Sequence, residues 1–129
     1  MALVAVADCY VSLHRTEGLG LTMAEAMAVG TPVVATAYSG NLDFMSQRSA
    51  MLVPAEEVEV GPGHYYPAHG HWAEPDLDAA AAMMRGVAGD PELRRRLASA
   101  AAEELGAFGF EEVGRIASEV LAESWRKQP

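Results

Sequence analysis

The sequence predicts an α/β fold: a partial parallel sheet of about three strands with flanking helices and a wholly helical C-terminal region. Three observations carry that prediction. Short apolar runs rich in β-branched residues alternate with short helical stretches over residues 8–53. The connections between them are only a few residues long. Beyond Asp76 the apolar residues recur at helical spacing to the end of the chain. Right-handed crossovers set each strand beside the one before it. Ligands of such sheets bind at the carboxyl ends of the strands.

Taken in order, the Ala-rich residues at the start read as the tail of a helix, and Asp8–Leu13 as a buried strand. Residues 14–20 (HRTEGLG) form a loop with two glycines. Leu21–Val29 is a short helix that Gly30 stops. Pro32–Thr36 is the second strand, Ser39–Gly40–Asn41 a loop, Leu42–Ser46 a short helix, and Ala50–Val53 a third strand closed by Pro54. Residues 54–75 are rich in Pro, Gly, His and aromatics and show no clear period, so they read as an irregular insertion or flap. Leu77, Ala80, Ala81, Met84 and Val87 make one helical stripe, and Leu93, Leu97, Ala100, Ala101 and Leu105 a second after Asp90–Pro91. Gly109 breaks the chain before a last helix over Phe110–Lys127.

Composition narrows the function. The formal net charge is -9, from 18 acidic and 9 basic residues, so nucleic acid is not expected as a partner. The same charge opposes docking to an anionic membrane through electrostatics. Arg94, Arg95 and Arg96 are the one basic cluster and read as a solvated helix face. The single cysteine, Cys9, cannot form an internal disulfide and reads as a core thiol in a reducing compartment. No apolar stretch reaches the roughly 20 residues of a membrane span, and no signal peptide is evident.

The chemistry concentrates in His14–Met27. A glycine-containing loop that feeds straight into a helix aims unpaired amides and the positive end of the helix dipole outward, where phosphate oxygens can sit. Glu17 and Glu25 flank that point and can accept hydroxyl hydrogens. Phosphate between two hydroxyl-binding carboxylates suits a nucleoside-diphosphate sugar. From spacing alone, an ordinary surface glutamate is an equally good reading of Glu25.

The stretch Ala7–Met45 resembles the signature region of the large retaining glycosyltransferase family with the GT-B fold, which includes mannosyl-, glucosyl- and rhamnosyltransferases. That signature is a glutamate, seven residues and a second glutamate, in an "EGxGL…EAMAxGxPVVAT" setting. Glu17 and Glu25 match the glutamates; Gly18, Gly20, Leu21, Ala26–Ala28, Gly30 and Pro32–Thr36 match the setting. The resemblance implies that Glu17 is the catalytic-site carboxylate and binds the transferred sugar near its anomeric carbon. It implies that Gly18, Leu19, Gly20 and Leu21 hold sugar and diphosphate, that Glu25 binds the ribose, and that Ser39, Gly40 and Asn41 supply the next turn of the donor site. Arg15 would pair either with the diphosphate or with a surface carboxylate, and Tyr38 would touch donor or pack. No metal or other cofactor is implied, since the donor is the substrate, and the paired carboxylates are not a glycosidase pair.

The partners implied are a nucleotide sugar, a glycan acceptor and the remainder of the same enzyme. Residues 1–129 would be the C-terminal part of the donor domain, without the acceptor domain, and would not turn over alone. The expected location is cytoplasmic, with peripheral attachment at the inner membrane face as the alternative. A non-catalytic module that holds nucleotide sugar or a partner is the competing reading. A nicotinamide-dependent oxidoreductase lacks its full glycine fingerprint here, and no Walker-type loop exists for phosphoryl transfer. His64, His69 and His71 could chelate only with a rigid third ligand, so no metal site is expected. Trp72, Tyr65 and Tyr66 could stack on a sugar or pack over the sheet edge. The apolar face of the last helix would lack its partner in this chain, so self-association is expected; a strictly monomeric mass by light scattering at high concentration would contradict it.

Overall fold

The computed structural model describes residues 2–127. Its centre is the strand β2, Val33–Thr36, whose four residues are all buried. A run of Val-Val-Ala-Thr has the β-branched content that a strand covered on both faces requires. It pairs in parallel with β1, Tyr10–Ser12, on one side and β3, Met51–Val53, on the other, giving the order β1-β2-β3. The registers place Val34 beside Val11 and Met51. This is the parallel three-stranded sheet the sequence predicts. The outer strands are shorter than expected, because Asp8 and Cys9 at one end and Leu13 at the other make no ladder pairs.

Alternation along β2 divides the core in two. Val33 and Ala35 face one cluster with Met23, Ala26 and Met27 of α2 (Leu21–Ala28). Val34 faces the other, with Val53, Ala80 and Val87, the last two on α3 (Leu77–Gly89). Val33, Val34, Val53 and Val87 are fully buried, and each such side chain contributes about 1.5–3 kcal/mol relative to exposure. The helix α4, Pro91–Gly106, belongs to both sides: Leu97 enters the α3 cluster and Ala101 the α2 cluster. It therefore ties the two faces of the sheet together beyond the strands themselves.

Local chemistry sets the helix ends. The Gly30 amide bonds to the Met27 carbonyl and the Thr31 amide to that of Ala26, the paired closure of a Schellman turn. Asp76 caps α3 by accepting from the Ala79 amide at 2.9 Å. Asp90 ends α3 and caps α4, accepting from the amides of Glu92 and Leu93, with Pro91 in the first turn. Those amides hold its carboxyl below the usual range. Arg94 is not only a solvated side chain, as expected from its cluster: its guanidinium donates to the carbonyls of Val87 and Ala88 and so closes the end of α3.

Of three further findings, the helix at the start agrees with the sequence reading and the other two depart from it. The short α1, Ala2–Ala5, is tied to the sheet side by the Thr31 hydroxyl, which donates to the Val4 carbonyl at 2.8 Å. The expected helix over Leu42–Ser46 is a 3-10 turn over Gly40–Asp43, so Gly40 and Asn41 start the turn and do not precede it. Residues 54–75 are not irregular throughout. They contain an antiparallel hairpin, β4 (Ala55–Glu59) with β5 (His71–Pro75), joined by the loop 60–70. Glutamates at three of its five positions mask β4, since a half-exposed strand tolerates residues of low strand propensity.

The last helix, α5 (Phe110–Arg126), has no buried residue; Phe110, Val120, Leu121 and Trp125 are among its exposed apolar side chains. Ion pairs of Arg115 with Glu112 and Glu119 support it along its own surface.

One half-buried acid ties α4 to the sheet side. Glu104 accepts from the Ser46 hydroxyl at 2.6 Å and from the Ser49 hydroxyl, with Arg48 nearby. Burial works to raise its pKa, but the two hydroxyls and the Arg48 charge outweigh it and hold the carboxyl below its ordinary value. A group depressed in the folded state stabilises above its unfolded pKa and loses that contribution as pH falls through the folded pKa. Between about pH 5 and pH 3 the melting temperature of the unaltered chain should therefore fall more steeply than that of Glu104→Gln; parallel curves in a thermal-melt series would refute this account of Glu104.

Candidate functional site

The carboxyl ends of β1 and β2 feed two loops, and the structure locks these loops into one body. His14 sits between them: its Nδ1 lies 3.1 Å from the Ser12 hydroxyl and its Nε2 3.0 Å from the Tyr38 carbonyl. The Ser39 hydroxyl donates to the Glu17 carbonyl. Gly40 presses on the Gly18–Leu19 backbone so closely that a Cβ there would lie 2.0 Å from the Gly18 carbonyl oxygen. No side chain fits in that space, which is why the position requires glycine.

Ser39 marks the strain in this arrangement. Its φ of 78° and ψ of -156° fall in a region that is essentially glycine-only. Such a residue costs about 1–3 kcal/mol and persists only where its surroundings dictate it; here the hydroxyl bond to Glu17 and the contact at Gly40 do so. Asn41, next in the turn, is fully buried. Its Nδ2 donates to the Thr36 carbonyl at 3.1 Å, which fastens the turn to the end of β2. Its Oδ1 and the Thr36 hydroxyl oxygen are buried without a hydrogen-bond partner.

The first loop ends at Gly20, the N-cap of α2, in the left-handed conformation at φ 89° with no side-chain cap. A Cβ there would lie 2.7 Å from the Met23 Cε, so the chain turns into the helix with bare backbone. The amides of Leu19, Gly20, Leu21 and Thr22 donate to nothing among the described residues. Leu19, Leu21 and Thr22 are exposed, whereas Gly20 between them is buried, with the Met23, Asn41 and Phe44 side chains packed beside it.

The expected site residues fall into two groups. Glu17, Gly18, Leu19, Ser39 and Gly40 come together in the interlocked loops. Glu17 is half-buried, and its Oε1 accepts from the Gly18 amide at 3.0 Å, so that amide serves the loop itself. Asn41 belongs to the same body, but its side chain points into the core. Glu25 stands apart on the exposed side of α2, and its carboxylate makes no hydrogen bond or ion pair among the described residues. It borders an apolar groove lined by Leu19, Leu21, Phe44, Leu105 and Phe108. Leu19 and Leu21 connect the two groups, so the candidate surface runs from Glu17 over the open amides to Glu25.

Arg15 is engaged elsewhere. It forms an ion pair with Glu74 at 2.6 Å, and its guanidinium lies 4.7 Å from the Trp72 ring centroid. The Arg15 carbonyl also accepts from the Ala73 amide at 2.8 Å. Of the two readings of Arg15, the surface pair is the one observed. Tyr38 likewise reaches the hairpin, its hydroxyl donating to Glu57 at 3.2 Å; desolvation and the Glu57 carboxylate push the phenol above its ordinary pKa. The hairpin is thus fastened to both loops of the site. The sequence reading missed this, because contacts between residues 59 positions apart leave no local signal.

Cys9 is half-buried and its pKa is raised, first by burial, which suits a packing thiol and not a nucleophile. Among the described residues no three His, Cys, Asp or Glu side chains gather to hold a metal ion; His64 instead meets the Trp72 ring edge-to-face at 4.9 Å. No described helix is long and apolar enough to cross a membrane.

Sequence comparison bears on this surface. The profile of the family described as glycosyl transferases group 1 matches residues 1–104. The chain is also similar to the lipopolysaccharide core biosynthesis mannosyltransferase LpsB of Rhizobium meliloti (strain 1021), 35% identical over 101 residues. That match takes in 76% of this chain and 22% of the relative's length.

The loop contact gives a sharp expectation. Gly40→Ala should destabilise the fold by about 1–3 kcal/mol, since backbone faces the new methyl and must move. A urea midpoint equal to that of the unaltered chain would show that the loops are not held against each other as described.

Proposed function

The chain belongs to the group 1 glycosyl transferases, and on that premise we propose that it forms part of the donor-binding domain of an enzyme that moves a hexosyl group from a nucleoside-diphosphate sugar to a glycan, with retention of anomeric configuration. The observation that supports this most directly is the uncapped start of α2. Its free amides lie beside a half-buried carboxylate on one side and an unpartnered carboxylate on the other.

In this reading the diphosphate meets the amides of Leu19, Gly20, Leu21 and Thr22, where the helix dipole also favours negative charge. Glu17 accepts from hydroxyls of the transferred sugar, while its bond to the Gly18 amide keeps it oriented. Glu25 accepts from the ribose hydroxyls. Ser39 and Gly40 hold the Glu17–Leu19 backbone in place, and Asn41 acts by fastening that turn and not by touching donor. As the anomeric carbon–oxygen bond breaks, charge gathers on the leaving diphosphate. Fixed amides stabilise it without having to reorganise. The acceptor oxygen bonds the same carbon on the face the diphosphate leaves, and the acceptor proton passes to a diphosphate oxygen.

The acceptor, the base pocket and turnover itself belong to the whole enzyme, of which this chain is the part proposed here to carry α2 and its loops. Mannose is the sugar to test first, given the mannosyltransferase to which the chain is similar. The proposed location is the cytoplasm, at or near the inner face of the membrane.

In a nuclear magnetic resonance titration with GDP-mannose and UDP-glucose, the amides of Leu19–Thr22 should shift. Glu17→Ala and Glu25→Ala should each weaken binding about tenfold, the value of one charge-assisted hydrogen bond. Shifts confined to other parts of the chain, or an affinity in either variant equal to that of the unaltered chain, would defeat the assignment.

A further inference from the structure

We propose that the tip of the β4–β5 hairpin is a carbohydrate platform that receives a neutral stretch of the acceptor glycan; this rests on the glycosyltransferase reading above. The rings at the tip are not core. Tyr65 is 99% exposed and Tyr66 51% exposed, an unusual state for two adjacent aromatics on a folded surface. They meet each other edge-to-face at 5.7 Å, and Tyr66 meets Trp72 in the same manner at 6.4 Å. These edge contacts leave ring faces open to a partner.

The chemistry of the segment selects the partner. Residues 54–75 contain no Lys or Arg and four glutamates, so phosphates, nucleic acid and anionic lipid are disfavoured. The loop offers almost no aliphatic surface, since its one large aliphatic residue, Val60, is buried. What remains is aromatic faces beside phenol hydroxyls, imidazoles and the Glu59 carboxylate. That combination suits a ligand with apolar C–H faces and a rim of neutral hydroxyls, which is the description of a sugar ring.

Position completes the argument. Trp72 carries Arg15 on its face, the neighbouring Ala73 donates to the Arg15 carbonyl, and Arg15 lies two residues before Glu17. The platform is therefore fastened by backbone and side chain to the loop that carries the reacting sugar. A glycan laid along it would approach the Glu17 end of the surface, opposite to the Glu25 end assigned to the nucleotide.

The test is saturation-transfer nuclear magnetic resonance on the 129-residue chain with α-linked mannotriose as the probe and glucose 1-phosphate as the anionic comparison. Mannotriose should receive saturation, and its signal, unlike that of glucose 1-phosphate, should depend on Tyr65 and Tyr66. Tyr65→Ala with Tyr66→Ala should weaken the mannotriose signal about tenfold, the loss of a tyrosine anchor, while the two Phe substitutions should retain most of it. Absence of mannotriose binding in the unaltered chain, an equal loss of the glucose 1-phosphate signal in the Ala variant, or an unchanged mannotriose signal in that variant overturns the platform. The nucleotide-sugar titration of the unaltered chain reports separately on the reading beneath it, so failure of one is distinguishable from failure of the other.

Discussion

The Gly18 carbonyl occupies the place where residue 40 would carry a side chain, and the rest of the candidate surface depends on that contact. It presses the turn after β2 onto the loop after β1. The Ser39 hydroxyl, the His14 ring and the Asn41 amide then fix the pair from three directions. Each bond alone is worth about 0.5–1.5 kcal/mol net. Their joint effect is to hold Ser39 in a backbone state that it would not adopt alone. A loop set in this way does not have to be ordered when a ligand arrives, and ordering is a large part of what binding costs.

Much of this architecture was legible in the sequence, for reasons that are local. The Val-Val-Ala-Thr strand, the glycines on either side of α2 and the caps at Asp76 and Asp90 are written in adjacent residues, and they fold as adjacent residues predict. The open start of α2 was legible too, because a glycine N-cap brings no side chain to close it. The glutamate pair was readable as a motif, yet its geometry was not: Glu17 turns back to its own loop, while Glu25 borders an apolar groove.

What escaped the sequence is what depends on distant partners. Asn41 reads as a polar loop residue, but the end of β2 offers it a carbonyl and the core closes over it. Arg15 reads equally as a phosphate ligand or a surface partner until the hairpin supplies Glu74 and Trp72. The hairpin itself was hidden by glutamates and prolines, which local propensity places in loops. Its register is set by pairs such as Val58 with Trp72, and those exist only once the strands have met.

The nakedness of α5 has a thermodynamic consequence. A helix of 17 residues with nothing buried draws its order from its own hydrogen bonds and from surface pairs worth about 0.2–0.5 kcal/mol each. The sheet, by contrast, is covered by α2 on one face and α3 on the other, with α4 reaching into both clusters. The polypeptide thus contains two tiers of cooperativity on one backbone: a core that melts as a unit, and a terminal rod that can unwind and rewind beneath the global threshold without disturbing it.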